Sequence, residues 1–245
     1  MKKAKEQLPT LLTGALAGLV NGFLGAGGGI IVTYFLSSHL DSEDKNEIFS
    51  NAVATMLPIS IFSFLLYLAR GYFPLDASML SLLPAAALGG AIGAYLLTKL
   101  KFKLVKVAFA ILVIISGISM IFRYGGTCMK VFFIPFIIAV LSGMGVGGGG
   151  LLVIYLTLFE NTPQMIAQGA NLAFFILAAA ASTLLSAKNK KIRWRTTLTM
   201  SASGIAASAL GTALAGAMDP SLLQKIFGGM LILGGIAALF PKKSK

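Results

Sequence analysis

Eight stretches of this chain carry no charged side chain: 7–38, 48–69, 77–98, 107–122, 131–159, 161–187, 196–218 and 226–241. A helix needs about 20 apolar residues to cross the hydrocarbon core of a bilayer. Most of these runs reach that length, and Lys106, Arg123 and Lys225 stand at the ends of the two shorter ones, where a long stem can carry its charge back to water. Charged residues make up 11% of the chain and hydrophobic ones 57%, whereas a soluble domain is about 25% charged. The solvent for so much apolar surface is lipid, and the chain reads as an all-α integral membrane protein embedded in the bilayer by eight segments.

The net charge is +12, but the basic residues sit in short loops and tails. That is the placement of cytoplasmic loops in a membrane protein, not of a nucleic-acid surface, so no nucleic-acid partner is expected. The single cysteine, Cys128, and the single histidine, His39, have no ligand cluster around them, and neither a metal nor a cofactor is expected. Residues 1–20 have the basic, apolar and small-residue layout of a signal peptide. The same charge-free run carries a glycine motif that recurs later, so it is read as part of the working fold.

That motif is GAGGGIIVTYF from Gly25, which returns as GVGGGGLLVIYL from Gly145. An offset of 120 residues sets Gly25 against Gly145, and Gly27, Gly28 and Gly29 against Gly147, Gly148 and Gly149. The same ungapped offset sets Asn51 against Asn171, and slightly shorter ones set Gly93 against Gly211 and Lys106 against Lys225. Residues 1–127 and 128–245 are therefore read as two copies of one four-segment unit.

Loop charge orients the copies. If every segment crosses, the basic loop Lys99–Lys106 lies outside, against the positive-inside tendency. If the first segment of each half enters and returns on one side, both termini, Lys99–Lys106 and Lys188–Arg195 are all cytoplasmic. Each half then has a glycine-broken, re-entrant first helix and three crossings. The halves are inverted, as in many transporters whose substrate sits near the midplane. On this topology Cys128 lies near the outer face.

Broken helices at membrane depth must be buried in protein or line a wet cavity. Their starts present N–H groups with partial positive charge, and glycine lets such groups converge on one point. Gly25, Gly27, Gly28, Gly29 and Gly145, Gly147, Gly148, Gly149 are accordingly candidate parts of an anion site; close helix packing is the alternative for all of them. Asn51 and Asn171 can donate hydrogen bonds without a charge, and Ser50, Thr55 and Gln168 add further donors. For these the alternative is a helix cap or an interhelical bond. No phosphate-binding loop and no nucleophile–base pairing occurs in the sequence, so neither an ATP-driven pump nor an enzyme is expected.

LVNGFLGAGGGIIVTYFL and IAVLSGMGVGGGGLLVIYL, followed by SNAVATM and GANLAFF, resemble the TauE/SafE family of sulfite and sulfonate permeases, also called DUF81 or TSUP. The ends of the halves, from Gly90 and from Gly211, are similar to it too, and the likeness runs over nearly the whole chain. The resemblance implies a permease or exporter of small sulfur-containing anions in the bacterial inner membrane. Where that family often has proline after the glycines, this chain has Thr33-Tyr34 and Ile154-Tyr155. The expected partner is a small anionic substrate, such as sulfite or an organosulfonate. An anion channel and a non-transporting membrane scaffold are the competing classes, and a homo-oligomer stays open.

Overall fold

The computed structural model describes residues 2–39, 45–73, 84, 86–88, 92, 95, 149–158, 160–189 and 192–239. Among these there are only helices: α1 (Lys2–Leu24), α2 (Gly28–His39), α3 (Lys45–Ala69), α4 (Gly149–Leu158), α5 (Gln164–Lys188), α6 (Trp194–Ala217) and α7 (Pro220–Leu239). Four contain stretches long and apolar enough to cross a membrane: Gln7–Leu24, Glu47–Ala69, Gln164–Lys188 and Trp194–Ala217.

The first charge-free run is broken at its glycines. Helix α1 stops because Gly25 (φ 65°) and Gly27 (φ 90°) take left-handed backbone, a conformation that glycine adopts without the Cβ clash of other residues. Ile30 N–H then donates to Gly27 O at 3.1 Å as α2 begins. The two helices fold back on each other: a side chain at Gly28 would strike the carbonyl of Ala17. The partner glycines Gly145, Gly147 and Gly148, Cys128, the Lys99–Lys106 loop and the 127/128 boundary lie outside the described residues. Gly149 is the first residue of α4.

Helix directions follow from cross-contacts. Gly14, Gly18 and Gly22 of α1 lie against Met200, Gly204 and Ser208 of α6, so these two helices run parallel and close enough for backbone to touch backbone. Asn51 reaches Thr197, and Ser201 Oγ donates to Thr55 O at 3.0 Å, so α3 also runs with α6. Helix α5 runs against α3, because Ser50 pairs with Ser186 (2.9 Å) and Tyr67 with Gln168 (2.8 Å).

The polarity suits lipid. Leu8, Leu12 and Leu16 of α1 are more than half exposed on the face opposite its glycines, and Leu198, Leu210 and Leu214 of α6 are likewise exposed. Asn21, Asn51, Thr55, Ser60, Ser63, Gln164, Gln168 and Asn171 are buried. Small residues let membrane helices approach, and polar ones bond across them. Pro58 falls inside α3 and removes one N–H from its ladder, which a membrane helix tolerates when neighbours are close.

Candidate functional site

A small cleft of about 30 Å³, partly open to its surroundings, lies where the Gly25–Gly27 turn meets α3 and α5. The turn supplies Gly25, Ala26, Gly27 and Gly29; α1 supplies Asn21; α3 supplies Ala52, Val53 and Met56; α5 supplies Asn171 and Phe175. No described lining residue is charged.

Asn171 fixes the turn. Its Nδ2 donates to Gly25 O at 2.7 Å, while its Oδ1 has no partner among the described residues. The donation tethers the non-helical backbone, which must be satisfied away from water. Asn21 Nδ2 donates to Ser60 Oγ and Ser63 Oγ, each at 3.3 Å, one turn apart on α3. The cleft thus joins residues some 150 apart in sequence through two neutral amides.

The four glycines of the first motif divide by role. Left-handed backbone occupies Gly25 and Gly27. Gly28 is helical and pressed against Ala17 and Met56, so its task is close approach. Gly29 faces the cleft, and a Cβ there would meet only Met56 Cγ, at 3.9 Å.

The sequence pairs Asn51 with Asn171, but the structure sets them apart. Asn51 Nδ2 donates to Glu47 O at 2.7 Å, and its Oδ1 accepts from Arg193 N–H at 2.7 Å and Thr197 Oγ1 at 3.2 Å. It clasps the start of α6, beside an Arg193–Glu47 ion pair, and it is not in the cleft lining. Thr55 and Gln168 are fully buried and also stand outside the described lining; the Thr55 Oγ1 has no partner among the described residues. Ser50 is held by Ser186.

Gln168 backs the turn from the other side. A Cβ at Gly25 would come within 2.6 Å of Gln168 Cβ. The Tyr67 hydroxyl lies 2.8 Å from Gln168 Oε1 and 3.0 Å from Gly22 O. It has one proton to give, so the two acceptors share it. Tyr67 and Asn21 escaped the sequence reading. The repeat sets Leu141 opposite Asn21, so a search for matched polar pairs passes over it. An amide inside a charge-free membrane run is itself the signal that could have found it.

The family model described as sulfite exporter TauE/SafE matches residues 1–120 and 131–245. No curated protein and no solved structure matches the chain. With apolar helices of membrane-crossing length and a family match over nearly all of its residues, this is a multi-pass membrane protein, and the chain belongs to the TauE/SafE sulfite exporter family.

Proposed function

We propose that this chain carries a small sulfur oxyanion, sulfite or a sulfonate, across the bacterial inner membrane by way of the cleft at the α1–α2 turn. The observation that carries the reading is the meeting of Asn21 and Asn171 at a glycine break, in a cleft whose described lining has no charge. An anion there faces the start of α2 at Gly29, whose N–H has no carbonyl of its own helix to bond. With no cation beside it, a second negative charge is costly to desolvate. The cleft therefore favours a monoanion, such as hydrogensulfite or a sulfonate, over the sulfite dianion.

The antiparallel pairing of α3 with α5 supports an inverted arrangement of the halves. These two helices stand at equivalent places in the repeat. They run oppositely if the first segment of each half returns to its own side, and in the same direction if all eight segments cross. The fold-back of α2 onto Ala17 supports the return. Both termini are then cytoplasmic, and inverted repeats suit alternating access.

Radiolabelled sulfite uptake into proteoliposomes tests the reading. Saturable uptake, competed by taurine or sulfoacetate and lost in Asn171→Ala, is the expected result. No flux above empty liposomes, or an unsaturable ohmic conductance, overturns it.

A further inference from the structure

Six buried side-chain atoms have no hydrogen-bond partner among the described residues, and four of them lie on one face of α5: Gln164 Nε2 and Oε1, Gln168 Nε2 and Asn171 Oδ1. The three residues follow at i, i+4 and i+7, a spacing that stacks side chains on one side of a helix. All three are at least 96% buried. Native proteins leave few buried polar atoms unpaired, so four within two turns of one helix need a cause.

Their position supplies it. The α3 part of the cleft, Ala52, Val53 and Met56, lies toward the start of α3. Asn171 stands at the Gly25 turn. Gln168 abuts that turn level with Tyr67, near the end of α3. Gln164 is one turn further on, at the start of α5. Because α5 runs against α3, the row of amides begins where the cleft stops and continues toward the opposite end of the bundle.

We propose that Gln164, Gln168 and Asn171 are successive hydrogen-bonding rungs on which the anion passes the Gly25 turn, with the Tyr67 hydroxyl as the latch that holds this half of the path shut. The proposal rests on the transport reading above. In the closed arrangement the rungs are buried, and each keeps at least one polar atom without a partner among the described residues. When α5 parts from the turn, the anion accepts from the Nε2 groups of Gln164 and Gln168 while water donates to Gln164 Oε1 and Asn171 Oδ1, which offsets the loss of contacts that opening costs. The Tyr67 hydroxyl stands within bonding distance of both Gly22 O and Gln168 Oε1, and so ties the latch to both sides of the seam.

Two measurements test it. The first needs no substrate. In a Cys128→Ser background, Gln164→Cys and Gln168→Cys are labelled in proteoliposomes with a small anionic thiosulfonate, and Phe174→Cys, fully buried in the apolar core, is the control. Both rungs should react about tenfold faster than the control, as expected for a seam that opens far more often than the core. Adding Tyr67→Phe should raise the Gln164→Cys rate about fivefold, since that background keeps the Gln168 acceptor and a fivefold change is the factor that one net hydrogen bond is worth. Rates equal to the control, or no response to Tyr67→Phe, overturn the proposal. The second uses radiolabelled sulfite: Gln164→Leu should keep affinity within about twofold, since Gln164 is off the cleft, while flux falls about tenfold for one lost bond to a charged group. Unchanged flux overturns the rungs. Failure of the parent protein to bind sulfite refutes the transport reading instead, and leaves the labelling result to stand by itself.

Discussion

Gly28 and Gly29 are neighbours at the start of α2, yet the structure gives them opposite responses to the same added methyl. At Gly29 a Cβ meets only Met56 Cγ, at 3.9 Å, an ordinary contact. Its backbone is helical, where alanine outranks glycine by about 0.5–1 kcal/mol. Gly29→Ala should therefore be neutral or slightly stabilising. At Gly28 the Cβ meets the Ala17 carbonyl and comes within 2.7 Å of Met56 Cε. The methionine can swing away, but the backbone of α1 cannot without moving α2. Overpacking of this kind costs about 1–3 kcal/mol, so Gly28→Ala should lower the melting temperature by roughly 2–10 °C for a chain of this size. Function should divide the other way. Gly29 lines the cleft and Gly28 does not, so Gly29→Leu should abolish sulfite binding in a protein that still purifies as a single species. The assays are thermal unfolding in detergent and equilibrium binding of radiolabelled sulfite. Equal stability of the two alanine variants refutes the α1–α2 fold-back, and parental binding by Gly29→Leu refutes the cleft as the site.

Asn171→Ala removes the tether on Gly25 and an amide from the cleft, so sulfite affinity should fall about ten- to a hundredfold, the worth of one bond to a charged group. Asn51→Ala should behave differently: it strips the clasp on Arg193 N–H and Thr197, costing about 1–3 kcal/mol of stability with affinity nearly unchanged; a binding loss matching that of Asn171→Ala, at parental stability, would count against this assignment. Ser50→Cys with Ser186→Cys, in a Cys128→Ser background, should oxidise to a disulfide in membranes, since the two hydroxyls are 2.9 Å apart; eight full crossings would hold them on opposite faces. At fixed total sulfite, uptake should fall as pH rises through the second ionisation of sulfite, because the monoanion is lost, while uptake of a sulfonate stays flat; a sulfite rate that rises over that range would contradict a cleft without a cation.

The membrane character of the chain was legible because lipid excludes charge, and charge-free runs are visible in one dimension. The helix break at Gly25–Gly29 was legible for a related reason: left-handed backbone within an apolar run selects glycine, and little else selects four of them together. Asn51 shows where such reading stops. Its ungapped match to Asn171 suggested one shared role, but the partners that decide its role, Arg193 and Thr197, come from α6. Asn21 shows the converse, a cleft residue hidden because its repeat counterpart is apolar. The glycines of α1 at Gly14, Gly18 and Gly22 were visible as letters, but what they press against is set by the pairing with α6.

That pairing also bears on how the protein is made. Helix α1 is synthesised before α6, and the surface that receives its glycine face belongs to α6, which begins only at Trp194. At about 5–20 residues per second, the ribosome needs roughly 10–30 s to reach it. Through that interval the groove along Gly14, Gly18 and Gly22 has only lipid or the insertion machinery to fill it. A chain truncated before α6 should leave α1 inserted but unclasped, exposing a bare strip of backbone that quality-control proteases can find. Assembly therefore joins helices that leave the ribosome about 170 residues apart, and α1 cannot complete its packing until α6 has been made.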